Sequence, residues 1–293
     1  MRTQITKAKL SCAALLVVAM ASLGIVPAAS AHTGLWARFN NCPSTNPSAK
    51  KCLQAVTTSG EVVIGKKTVP VVNPVTLQGA MTANVEGFRT MIAATNGQTL
   101  TPVAQPVPGG LAGIVNCKEI SNFLVRLGCE AVFENGLTGL NATLELAGSA
   151  SQIRVSEANL ALEEGIALEM PVKVHLENPL LGSTCYIGSN GSPLLWKLTT
   201  GTTSPPAGTA PIKGFSGVGE FLEEETLLQI NGAKLVENNW SAPKSSGCGG
   251  FGVELILDPI IDSQVGLPAA AGKNVASLTN TISLATTTSV NNH

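Results

Sequence analysis

The sequence predicts an all-β fold, an antiparallel sandwich-like or barrel-like domain with one or two short helices. Three observations carry this. Along several stretches apolar and polar residues alternate with a period of two, the spacing of a half-buried strand. Clusters of Gly, Pro, Asn and Ser interrupt those stretches at short intervals, as turns between strands do. The hydrophobic share is 44% and the charged share only 13%, which excludes a disordered chain or a coiled coil and supplies apolar surface for a packed core.

Taken in order, the first segment reads as an address. Arg2, Lys7 and Lys9 precede an apolar run from Leu10 to Val26, Pro27 ends it, and Ala29-Ser30-Ala31 offers a small-x-small pattern before His32. A signal peptide over 1–31, cleaved near Ala31, is expected. A single disulfide-linked, β-rich extracellular domain over 32–293 would follow. The run is short for a transmembrane helix, and no later stretch approaches the roughly 20 apolar residues a span needs. Cys12 opens the hydrophobic region instead of closing it, which argues against lipid attachment. No sortase-type motif or hydrophobic tail precedes His293, so the expectation is release or non-covalent retention in the cell envelope.

The strands follow. From Ile166 to Leu176, Ile166, Leu168, Met170, Val172, Val174 and Leu176 share one face, with Ala167, Glu169, Pro171, Lys173 and His175 on the other. Pro171 cannot donate to a ladder and suggests a strand near a sheet edge. Val69 and Val71, Val75 and Leu77, Leu144 and Leu146, Ile153 and Val155, and Leu160 and Leu162 repeat the pattern, with Glu163-Glu164-Gly165 as a hairpin turn before Ile166. Leu194 to Leu198, Gly219 to Leu222, Thr226 to Ile230 and Val253 to Leu257 are further candidates. Helical spacing is found in Ile120, Phe123, Leu124 and Leu127, within Lys118 to Gly128, and in Val275, Leu278, Ile282 and Ala285. The Pro- and Gly-rich stretches Thr101 to Gly113 and Thr199 to Gly214 read as boundaries, the second an excursion within one domain if Cys185 pairs with Cys248.

Beyond the leader stand Cys42, Cys52, Cys117, Cys129, Cys185 and Cys248. An even count in an exported chain favours three disulfides, and sequence order favours Cys42–Cys52, Cys117–Cys129 and Cys185–Cys248. No pair has the spacing of a zinc knuckle.

Composition also removes partner classes. The formal net charge is −1, and without Arg2, Lys7 and Lys9 the remaining 15 basic and 19 acidic groups leave −4, which offers nucleic acid or anionic lipid no electrostatic footprint. Asp258 and Asp262 are the only aspartates, so the Asp-rich loops of calcium sites are missing.

Four segments carry a resemblance: Asn178-Pro-Leu-Leu-Gly-Ser-Thr-Cys-Tyr-Ile-Gly-Ser189, Leu198-Thr-Thr-Gly-Thr-Thr-Ser-Pro-Pro206, Gly266-Leu-Pro-Ala-Ala-Ala-Gly-Lys-Asn274 and Thr68-Val-Pro-Val-Val-Asn-Pro-Val-Thr-Leu-Gln-Gly79. They are similar to segments of a family of uncharacterised secreted actinobacterial proteins. The resemblance covers most of 32–293 and implies export and one domain. It brings no catalytic residues and no cofactor.

Catalytic constellations are scarce. Gly214-Phe215-Ser216-Gly217-Val218 fails the nucleophile-elbow pattern at its last position. His175 is the only internal histidine, so a triad would need it beside Asp258, Asp262 or a glutamate, yet its strand phase points it to solvent. Glu163-Glu164 and Glu223-Glu224-Glu225 read as hairpin tips and solvated edges, because adjacent strand residues face opposite sides. For sugar binding, Trp36 and Trp240 are the candidate platforms, with Trp196 and Phe221 read as core. One sharper alternative remains. Cleavage after Ala31 would make His32 the first residue, and His32 with His175 could form a copper brace like that of lytic polysaccharide monooxygenases.

The expected function is therefore a secreted or envelope-associated, non-enzymatic protein with a structural, surface or weak ligand-binding role and no cofactor. The alternatives are the copper enzyme and a carrier of an apolar small molecule between sheets.

Overall fold

The computed structural model describes residues 31–111, 121–124, 126, 139–222, 226–250 and 252–293. The expected signal segment, Cys117 and Cys129, most of the expected helix over Lys118 to Gly128, and Glu223 to Glu225 lie outside them.

Among the described residues, fourteen strands join into one antiparallel sheet that folds over itself. Its first half is built on β1 (Lys51–Ile64), which pairs with β2 (Lys67–Pro70) and β3 (Val75–Met81) on one side and β14 (Val275–Thr286) on the other. Beyond β14 lie β12 (Leu227–Glu237) and β11 (Val218–Leu222). The second half centres on β8 (Leu168–Glu177). On one side it meets β6 (Asn141–Leu146) and β7 (Arg154–Val155), on the other β9 (Tyr186–Ile187) and β10 (Leu194–Leu198). β5 (Ala104–Pro106) adds to β6, and β13 (Ser245–Ser246) to β9.

The fold-over is made by β4 (Arg89–Ala93), whose C-terminal part pairs with β3 and whose first residues pair with β7. The close approach at β3 needs Gly79. Its φ is +148°, and a Cβ there would sit 2.5 Å from the Ile92 carbonyl oxygen, so no side chain fits. The inner faces then meet in one core in which Leu53, Leu77 and Leu284 of the first half join Met170, Val172 and Trp196 of the second. At about 1.5–3 kcal/mol for each large side chain removed from water, these contacts supply the main drive for closing the sheet.

Helices cover the flanks. A 3-10 helix over Gly34–Phe39 lays Trp36 and Phe39 against Ala80, Leu227 and Ala285 on the outside of the first half, and the Cys42–Cys52 disulfide pins it there. Arg38 Nη1 donates to Gln229 Oε1 (2.6 Å) and Ser283 Oγ (2.7 Å) across two strands of that face. α1 (Glu157–Leu162) is short, α2 (Glu254–Val265) buries Leu257, Ile261 and Val265, and α3 (Thr287–Asn291) follows β14. Residues 32–293 form one compact unit.

The all-β antiparallel expectation holds, and five local expectations are corrected. Val275 to Ala285 is strand β14, not a helix. Ala276, Leu278, Asn280, Ile282 and Leu284 all face inward, and the polar Asn280 between Leu278 and Ile282 hides the period of two and leaves an i, i+4 pair that imitates a helix. Leu160 and Leu162 lie in α1, where Ser156 Oγ caps the Asn159 amide and Glu163, at φ +56°, ends the helix in the left-handed region. Glu163 to Gly165 is therefore a helix exit, not a hairpin turn. Val253 to Leu257 starts α2, whose buried residues Leu257, Ile261 and Val265 recur every fourth position.

β8, finally, is interior. Pro171 is tolerated because its carbonyl accepts from Ala147 N (3.0 Å) just past the end of β6, so the missing N–H faces the gap before β7.

A candidate ligand cavity between the sheets

The two halves do not close completely. Ala55 and Thr57 of β1 and Leu144 and Leu168 of the facing strands point inward yet remain partly exposed. Between them runs a chain of three apolar cavities. The first, about 60 Å³, is walled by Leu53, Ala55 and Ile282 on one side and Leu168, Met170 and Leu198 on the other. The second, about 70 Å³, lies among Val62, Val71, Leu144, Val174 and Trp196. Thr57, Val75 and Leu278 line both. A third, about 30 Å³, shares Ile64, Val69, Ala142 and Val174 with the second. Interiors packed to crystal density hold few voids larger than a water, and here three adjoining apolar spaces lie along one seam. Together they match the roughly 150 Å³ of an engineered apolar cavity that takes up benzene.

Polar groups are few along this seam and mostly committed. Gln105 Oε1 accepts from Val72 N and Asn73 N, both at 2.9 Å. Asn280 Nδ2 donates to the carbonyls of Leu278 (2.9 Å) and Ala233 (3.2 Å), filling the irregularity between Ile230 and Ala233 of β12, and its Oδ1 accepts from Thr57 Oγ1 at 2.8 Å. Glu157, at the first cavity, takes Lys51 Nζ at 2.7 Å and Arg89 Nε at 2.8 Å. Burial alone would raise its pKa, but the hydrogen bonds and charges of Lys51 and Arg89 outweigh that and hold it below the usual carboxylate range. A closed ion cluster thus borders this apolar cavity.

The residues singled out from sequence are scattered. His175 lies on the outer face of β8, but Tyr186 covers it, stacked at 4.5 Å, and its side chain is only 16% exposed, so it is not the solvated histidine expected. Its Nδ1 stands 3.4 Å from Glu145 Oε1 and 3.4 Å from Glu177 Oε1, and Lys173 Nζ lies 4.5 Å over the Tyr186 ring. Burial, followed by the nearby Glu145 and Glu177 charges, raises the Tyr186 pKa. None of these described contacts brings in a serine or cysteine. Asp258 and Asp262 serve elsewhere: Asp258 accepts from Gly247 N and Cys248 N, and Asp262 from Ser245 N and Oγ.

His32 is seated by Asn40, whose Oδ1 accepts from its backbone N at 2.6 Å, and shares no described partner with His175. Among the described residues no group of three His, Cys, Asp or Glu side chains is placed to hold a metal ion. Glu163 Oε1 accepts from Ser216 N (3.0 Å) and Ser216 Oγ (3.2 Å), with Lys213 at 3.4 Å. The Ser216 amide leads the groups that lower its pKa.

The aromatic assignment is partly reversed. Trp36 and Trp240 are buried, Trp196 is buried as expected, and Phe221 is 64% exposed. No surface tryptophan platform forms. Cys42–Cys52 and Cys185–Cys248 are present as sequence order favoured, and disulfides of this kind persist in oxidising compartments. Among the described residues no helix is long and apolar enough to cross a membrane.

Sequence reasoning missed Ala55, Thr57 and Glu157 altogether and read Trp196 only as core. The alternation Leu53, Ala55, Thr57 was the available signal for β1, but the adjoining β-branched run of Val56, Thr57 and Thr58 blurs it. No protein-family model, curated protein or solved structure matches the chain.

Proposed function

We propose that this chain is an exported, non-enzymatic carrier that holds a small apolar molecule between the two halves of its sheet. The observation that carries the reading is the seam of adjoining apolar cavities whose inward-facing walls stay partly exposed. Ligand sites are concave, mostly apolar and furnished with few polar groups, which matches this seam better than any charged cluster on the surface. Export is supported by the leader-like segment before His32 and by disulfides suited to an oxidising compartment. The resemblance to secreted actinobacterial proteins agrees with it. A brief stay in the cell envelope before release fits the same reading.

The test is mass spectrometry of organic extracts of the purified protein, followed by titration with the apolar fluorophore 1-aminoanthracene. Saturable one-to-one binding is expected, and ligand at 100 times its Kd should raise stability by about 2.7 kcal/mol. A clean extract together with unsaturable fluorophore binding would overturn the proposal.

A further inference from the structure

The three cavities of the seam lie in file. Along β8, Leu168 and Met170 wall the first, Val174 the second and third, and Leu176 the third. Along β1 in the facing half the order is the same. Leu53 and Ala55 line the first cavity, Thr57 the first and second, Val62 the second, and Ile64 the second and third. The first and third have no lining residue in common, so the second lies between them. From Leu168 to Leu176 a strand advances about 26 Å at roughly 3.3 Å per residue, which makes the space long and thin.

How the volume is divided decides what shape it suits. The first and second cavities are about 60 and 70 Å³, each under half of the roughly 150 Å³ that takes up benzene, and the third is about 30 Å³. A compact guest would have to widen one compartment. The walls resist this, because Thr57 and Val75 at the first junction are β-branched and stiff at χ1, and the strands behind them are hydrogen-bonded to neighbours on both sides. A slender guest can reach from one compartment into the next, turning about its own bonds where the side chains pinch.

We infer that the ligand is an unbranched aliphatic chain threaded along this file, either a free hydrocarbon or the tail of a lipid. This rests on the carrier reading and narrows it by shape. The walls of the three cavities are almost wholly apolar, so contact area along the chain supplies the affinity and straightness supplies the selection.

The experiment titrates the full chain with two isomers, n-octane and 2,2,4-trimethylpentane, by displacement of 1-aminoanthracene, itself elongated. The isomers have the same carbons and differ in shape alone. n-Octane should bind about tenfold tighter, since the branched isomer overpacks whichever compartment it enters. Val75→Phe sets a ring at the junction of the first and second cavities and should cancel that advantage. Octanoate separates the two sources: displacement by n-octane and octanoate alike assigns the tail of a lipid, displacement by n-octane without octanoate assigns a free hydrocarbon, and either supports the chain. Equal affinity of the isomers, tighter binding of the branched one, or an advantage unchanged in Val75→Phe would overturn the chain while leaving the carrier standing. Displacement of the fluorophore by neither isomer would overturn both. Should Val75→Phe fail to fold, the isomer comparison in the unaltered chain decides.

Discussion

Filling the first cavity tests whether the seam is open space or tight core. Ala55 on β1 points into it with only a methyl group, and the space beside it is about 60 Å³. Ala55→Val adds two carbons and places a β-branched residue in a strand, where it is favoured. At about 24 cal/mol per Å³ of void removed, eliminating this space is worth about 1.4 kcal/mol, and burying two carbons at about 0.8 kcal/mol each adds a similar amount. Ala55 is only half-buried and the fit will be imperfect, so the expected net gain is about 1–2 kcal/mol, or a Tm rise of roughly 2–8 °C. Binding of 1-aminoanthracene should weaken in the same variant. Differential scanning calorimetry and fluorophore titration, done on one preparation, read both quantities. A loss of more than about 1 kcal/mol would mean that the site is already full, since overpacking a filled core costs about 1–3 kcal/mol. That result would refute both the cavity and the carrier built on it.

Three further outcomes are expected. Cys185–Cys248 closes a loop of sequence separation 63, so the double serine variant should lose about 4 kcal/mol on the loop-entropy model, read from the denaturant midpoint, and non-reducing peptide maps should link Cys117 to Cys129. Glu237 is 5% exposed, and burial raises its pKa against the pull of the Asn239, Asn238 and Lys197 amides. The folded state therefore keeps a proton that the unfolded state has lost, so stability should fall as pH rises from the ordinary glutamate value through the raised one; Glu237→Gln should remove that slope, and an unchanged slope would sink the assignment. Copper should bind wild type and His175→Ala with equal affinity once N-terminal sequencing has placed His32 first, whereas a large loss in the variant would restore the brace and count against the carrier.

The strands that could be read from the chain are those whose alternation is complete. Leu168 to Leu176 predicted β8 and its inner face, and Leu194 to Leu198 predicted β10, because every second residue is apolar; at the start the assignment is reversed, with Ala167 in the core and Ile166 outside it. Where a polar residue is buried for a tertiary reason the pattern fails. Asn280 satisfies the irregular edge of β12, and its presence on the inner face of β14 made that strand look helical. Short helices such as α1 are marked by a capping serine more than by a periodic stripe, and two leucines outweighed it in the reading.

The Cys42–Cys52 and Cys185–Cys248 pairs were legible because they follow the order of the cysteines along the chain. The apolar seam was not, because a cavity is a mismatch of volumes between surfaces far apart in the chain. Nothing in the order of residues says that Ala55 and Leu168 will face one another without touching closely enough to exclude a guest. Trp196 shows the same division: burial could be foreseen from its strand phase, but whether its N–H would meet an acceptor depended on which strand of the opposite half came to lie against it. Local alternation sets which side of a strand is apolar, while the distance between two such sides is set only when Gly79 lets β4 fold the sheet over.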